Sequence, residues 1–146
     1  MEYTVEVDEE GTVRYYKPGT DVVHREDGPA EVYKNGGEYW FKEGKIHRED
    51  GPAAVCEDGT EQWFKEARLH REDGPAIKSY DGSEFWYIND KLHREDGPAV
   101  VYSDGRRQWW IDGKISREEF DDRTKEERVC RFTVPVGTKE ISIQFK

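Results

Sequence analysis

The heptapeptide His-Arg-Glu-Asp-Gly-Pro-Ala occurs four times without change, at 24–30, 47–53, 70–76 and 93–99, each copy starting 23 residues after the last. A fifth copy begins on schedule at Ser116 and degenerates into Arg117, Glu118, Glu119 and Phe120. A fixed period between 20 and 50 residues is the signature of a repeat architecture, in which each unit buries its apolar surface only against its neighbours.

The period also limits what one unit can be. After each Ala comes a short β-prone run (Glu31-Val32-Tyr33, Ala54-Val55-Cys56, Ile77-Lys78-Ser79, Val100-Val101-Tyr102) and then Asn35-Gly36, Asp58-Gly59, Asp81-Gly82 or Asp104-Gly105. Asn-Gly and Asp-Gly between β-prone runs predict type I′ hairpin turns, whose two central residues have φ > 0. The returning run carries Trp40, Trp63, Trp86 and Trp109, each followed by a second aromatic: Phe41, Phe64, Tyr87 and Trp110. A second turn then precedes Lys45-Ile46, Arg68-Leu69, Lys91-Leu92 and Lys114-Ile115. The segments are too short, and Gly and Pro too frequent, for a helix inside the period. The fold class predicted is all-β: an antiparallel meander of 23-residue β-hairpin units, about eight strands, in a twisted or curled sheet.

The organisation read from the chain is a single repeat domain over 1–146, with an N-terminal capping half-repeat at 1–23, four repeats at 24–115 and a C-terminal cap at 116–146. In the half-repeat, Tyr3 to Val7 alternates as a strand, Glu10-Gly11 turns, and Val13 to Tyr16 returns. At the other end Ser116 and Glu119 form a capping box, which predicts a helix from Arg117 to Arg128 supported by Glu119–Arg123 and Asp121–Lys125 pairs. Phe132, Val134, Ile141, Ile143 and Phe145 around Val136-Gly137-Thr138 read as a closing hairpin.

Period-2 alternation puts the Trp column and the Ala column on one face. The other face carries the residues that vary between units. Tyr39, Phe41, Gln62, Phe64, Phe85, Tyr87, Gln108 and Trp110 are therefore the candidate binding surface. The Trp column reads as core, with about 3–5 kcal/mol expected for truncating one fully buried Trp.

His24, His47, His70 and His93, each beside an Arg, a Glu and an Asp, invite a catalytic or metal reading. Geometry opposes it: units in a meander lie ~10 Å apart, whereas zinc donors converge within ~2.2 Å of one ion. The columns His24, Arg25, Asp27; His47, Arg48, Asp50; His70, Arg71, Asp73; and His93, Arg94, Asp96 are read as structural, together with Trp40, Trp63, Trp86 and Trp109. In this reading Gly supplies φ > 0 and Pro stiffens the reversal, Asp bonds the following amides, Arg pairs with a carboxylate, and neutral His ties adjacent loops. No catalytic residue, metal or cofactor is expected.

Net charge is −10, with −4 in residues 1–23 and zero from Ser116 onward, so the repeats carry the rest. Nucleic acid and anionic membranes need a basic surface and are not expected as direct partners. Two cysteines, Cys56 and Cys130, make no disulfide framework, and Met1 is followed at once by acidic and polar residues, so a cytoplasmic chain is expected. No apolar run approaches the ~20 residues of a membrane-spanning helix.

The order Trp40, Gly44-Lys45, His47, Asp58-Gly59, repeated through 24–116, resembles MORN repeats, which also run near 23 residues with one hairpin each. The family's His-Gly-x-Gly is replaced here by His-Arg-Glu-Asp-Gly-Pro, a variant similar to repeats in small proteins of tailed phages and bacteria. The resemblance implies a non-catalytic sheet scaffold that binds proteins, with host cytoplasm as its location and a host enzyme or defence factor as the target to be blocked. Other readings left open are a small-ligand (nucleotide) binder, an acidic mimic of nucleic acid, a weak Ca²⁺ binder, a hydrolase using His and carboxylates, and a homo-oligomer formed through a sheet edge or the aromatic face.

Overall fold

A computed structural model describes residues 2–120 of the chain. The described residues contain 17 strands and no helix. Eleven of the strands form one open antiparallel sheet in sequence order, and the other six form three separate two-stranded ladders.

Residues 54–69 show how one unit is built. Ala54–Val55 pairs with Glu61–Gln62 of its own unit and with Glu38–Tyr39 of the unit before. After Trp63 the chain leaves the main sheet and makes a second hairpin, Phe64–Lys65 against Arg68–Leu69. The heptapeptide that follows connects to the next unit. Each unit thus gives two strands to the main sheet, eight for the four units, as the period predicts. It also gives a second hairpin that the one-hairpin reading did not contain.

The type I′ turn expected at Asn/Asp-Gly is found at the second turn instead. At the Asn/Asp-Gly turn only Gly has φ > 0 (Gly36 +96°, Gly59 +86°, Gly82 +87°, Gly105 +91°). Gly59 N donates to Cys56 O and Cys56 N to Thr60 O. This is a three-residue loop closed by a left-handed Gly, not a type I′ turn. Asn and Asp are needed there as acceptors: Asp58 Oδ1 takes the Thr60 amide at 2.8 Å and Asn35 Oδ1 the Gly37 amide at 3.1 Å. The second turn has two left-handed residues in every unit: Glu43 and Gly44, Glu66 and Ala67, Asn89 and Asp90, Asp112 and Gly113. That is the backbone of a type I′ turn, held mostly by non-glycine residues.

Register places a single row across the sheet. Tyr39 is opposite Ala54, and Ala54 opposite Gln62, so Trp40, Ala53 and Trp63 follow one step along, with Trp40 N donating to Ala53 O. Repeated through the units, this row reads Ala30, Trp40, Ala53, Trp63, Ala76, Trp86, Ala99, Trp109. The Ala members are fully buried at 0% exposure, and Ala54, Val100 and Pro75 are buried with them. The Trp side chains are half-buried. The expectation that Trp forms the sealed core is corrected accordingly: the sealed residues are the small ones, because strands 4.8 Å apart leave room for a ring only at alternate positions.

The N-terminal half-repeat forms as expected, with Thr4–Val7 paired to Val13–Tyr16. At the other end the helix start is corrected. Lys114–Phe120 is a strand on Arg106–Ile111, and Ser116 Oγ donates to Trp109 O rather than capping an amide. A capping box contributes about 1 kcal/mol; here it competes with a six-residue open edge and with the Trp109 ring, over which Arg117 stacks at 4.1 Å. The remainder of the expected helix and the closing hairpin lie outside the described residues.

The backbone angles give a direct check. Ala67 at φ +63° carries the cost of a left-handed L-residue. Ala67→Gly should stabilise the chain by about 1 kcal/mol in urea unfolding, and an unchanged or lower midpoint would contradict this turn geometry.

Candidate functional site

The heptapeptide connectors lie over the Trp/Ala row, and their geometry repeats closely. Arg48 lies flat over the Trp40 ring with its Cζ 4.2 Å from the centroid, Arg71 over Trp63 and Arg94 over Trp86 at the same distance, and Arg25 over Tyr15 at 4.0 Å. Tyr15 is the half-repeat's equivalent of Trp. The opposite side of the guanidinium faces glycine. A Cβ on Gly51 would meet Arg48 Cζ at 3.0 Å, and one on Gly74 would meet Arg71 Cζ at 2.8 Å. The connector glycines, expected to supply φ > 0, have no positive φ; they are glycine because the guanidinium occupies the side-chain position.

Hydrogen bonds fix the guanidinium in that slot. Arg48 Nε donates to Asp50 Oδ1 at 2.9 Å and its Nη1 to Pro52 O at 3.3 Å, and the other three connectors repeat both bonds. The arginine bond holds the Asp27, Asp50, Asp73 and Asp96 carboxyls below their ordinary range.

The histidines act between units. The Nδ1 atoms of His24, His47, His70 and His93 accept the backbone amides of Glu43, Glu66, Asn89 and Asp112 at 3.0–3.3 Å. Each of those amides belongs to the first left-handed residue of the next type I′ turn. The second left-handed residue donates its amide to the preceding unit, as in Ala67 N to Ile46 O at 2.9 Å. The two bonds hold the strained turn against its neighbour. The His47 ring is nearly buried, and its Nε2 has no hydrogen-bond partner, the nearest carboxylate oxygen being Glu49 Oε1 at 3.6 Å. Among the described residues no group of three or more His, Cys, Asp or Glu side chains is placed to hold a metal ion.

Between consecutive connectors lie three open grooves of about 730, 620 and 740 Å³. Carboxylates of two successive connectors line each groove together with one Trp and one exposed Lys: Trp40 and Lys42, Trp63 and Lys65, or Trp86 and Lys78. The connector Glu and Asp side chains are exposed throughout.

The variable residues are on the other face. Tyr39, Gln62, Phe85 and Gln108 share one row with Ala54, Ile77 and Val100. Phe41, Phe64, Tyr87 and Trp110 sit in the second hairpins opposite Ile46, Leu69, Leu92 and Ile115. All eight are half-buried rather than exposed. Tyr39 packs edge-on to Tyr33 at 5.3 Å, Phe85 edge-on to Tyr102 at 5.9 Å, and Trp110 Nε1 donates to Gln108 Oε1. Burial pushes the Tyr39 and Tyr87 hydroxyls up in pKa. The exposed alternative, the connector carboxylates, was legible only as net charge.

No protein-family model matches the chain, and no curated protein matches it.

The connector aspartates set a pH dependence. Because their folded pKa lies below the ordinary 3.8, their stabilisation is complete above that value and is lost as pH falls through the lower, folded one. The unfolding temperature should therefore drop on acidification below about pH 4. The Asp50→Asn/Asp73→Asn variant should start lower at neutral pH and drop less. Identical acid profiles for the two chains would contradict the assignment.

Proposed function

We propose that the chain is a non-enzymatic protein-interaction module that docks a basic protein surface along its connector face. One observation carries the reading. In all four connectors the Arg is committed to an aromatic ring, an Asp and a carbonyl, and the His to a turn amide, which leaves the carboxylates as the outward-facing groups. A surface of that kind offers a partner charge at a regular ~10 Å pitch rather than one asymmetric reaction centre. Long-range attraction to a basic face would speed encounter, and the grooves would take the partner's side chains. The likeness to repeats of small phage and bacterial proteins adds a use: occupying, and so blocking, a host enzyme or defence factor.

The test is capture from a host lysate with the intact chain as bait. Glu49→Lys/Glu72→Lys should lose the partner, and raising the salt from about 0.1 to 1 M should release it, as screening over a few ångströms requires. Phe41→Ala and Trp110→Ala should retain it. Capture lost with the two aromatic variants but kept by the charge-reversed one would move the interface to the other face. No captured protein at any bait concentration would count against an interaction role.

A further inference from the structure

Among the described residues the first strand of the sheet, Thr4–Val7, is paired on one side only. Its exposed side chains include Val5 at 49% and Val7 at 66%. We propose that this edge is a self-association site, where two copies of the chain pair their first strands antiparallel about Val5 and join two sheets into one.

Backbone directions decide which residues are available. Val5 is opposite Tyr15. Tyr15 directs its amide to Ala30 O at 2.8 Å and accepts from His24 N at 3.0 Å, so both its polar groups point away from the first strand. Val5 is thus in a non-hydrogen-bonded pair, and its own N–H and C=O point outward. Tyr3 and Val7 share this parity. A two-fold axis through the Val5 pair lets Tyr3, Val5 and Val7 bond Val7, Val5 and Tyr3 of the second copy, using every outward group of the strand.

Side chains favour the same register. Val5 continues the row Tyr15, Ala30, Trp40, since Tyr15 lies opposite Val5 and donates its amide to Ala30 O, one step along from the Arg14–Glu31 pair. Pairing about Val5 makes the two rows continuous and covers both valines. The opposite face then sets Thr4 beside Glu6 of the second copy; the one like-charged pairing in this register, Glu2 with Asp8, lies beyond the strand, and Asp8 is already held by Arg14 at 2.9 Å. The competing axis through Glu6 would place two carboxylates directly opposite each other, which destabilises a pair. On the inner side, Glu6 is opposite Arg14, whose Nε pairs with Glu31 at 3.2 Å and Nη1 with Asp8 at 2.9 Å, so that residue's charge is already engaged. A contact of one short strand is small, and the dimer should be concentration-dependent rather than permanent.

A hydrogen-bonded antiparallel pair has Cα atoms ~5.5 Å apart, within disulfide range. The test uses the full chain in a Cys56→Ser/Cys130→Ser background. Val5→Cys should give a disulfide-linked dimer on mild oxidation, whereas Glu6→Cys should give little. Without oxidant, sedimentation equilibrium from about 10 to 500 μM should show reversible dimerisation. Val5→Lys, which sets like charges opposite each other, should weaken it at least tenfold with the unfolding temperature unchanged. A chain that stays monomeric over the whole range, or one that still dimerises with Val5→Lys, overturns the proposal. Preferential cross-linking through Glu6→Cys overturns the register.

Discussion

The guanidinium of each connector arginine, held between an aromatic ring and a glycine, is the contact on which the repeat depends. It links three parts of the chain: the Trp of the hairpin just completed, the Gly-Pro that leads into the next strand, and the Asp between them. Cation–π stacking contributes about 0.5–2 kcal/mol, more as water is excluded. The exposed Arg–Asp pair is weak by itself, but with Arg fixed by the ring it also sets the path of the connector. The consequence for sequence is strict. Arg must be planar and multiply donating, the residue three on must lack a Cβ, and the residue two on must accept, which accounts for the unchanged Arg-x-Asp-Gly.

From that contact the rest of the fold follows by spacing. A ring plus a guanidinium needs more than one strand width, so large and small residues alternate across the row. With only small residues sealed, the sheet has a thin core, and stability rests on many short nearest-neighbour terms, as in other linear arrays. The histidines supply the second term. Each Nδ1 accepts the amide of a left-handed turn residue one unit on, so a costly turn conformation depends on the presence of the neighbour. The fifth, degenerate connector retains Arg117 for Trp109 and drops His, consistent with the second hairpins ending at Asp112-Gly113.

Much of this was legible in the sequence. The 23-residue period, the antiparallel meander, the eight repeat strands and the first hairpin at 4–16 follow from periodicity and turn chemistry. Which turn was type I′ was not legible: Glu66-Ala67 is a poor left-handed former and is bonded to the preceding unit through Ala67 N, while Asn89-Asp90, better suited to φ > 0, lacks the Gly that marked the first turn. Tertiary pairing also overrode the capping box at Ser116–Glu119. Of the candidate binding residues, Tyr39, Gln62, Phe85 and Gln108 share one row of the sheet while Phe41, Phe64, Tyr87 and Trp110 sit in the second hairpins, and all eight are half-buried, a packing outcome that alternation alone cannot reveal. The exposed surface includes the connector carboxylates, Tyr80 and the Val5 and Val7 edge; we propose a basic partner for the first and another copy of the chain for the last.

The most direct measurement of the central contact is a double-mutant cycle on Arg71 and Trp63, a pair in the middle of the array. Urea unfolding of Arg71→Ala, Trp63→Ala and the double variant gives their coupling free energy. A stacked pair predicts single losses that fail to add, with a coupling of about 1 kcal/mol or more. Additive losses would mean that Arg71 is held by Asp73 and Pro75 alone, and that the ring is not what sets the connector.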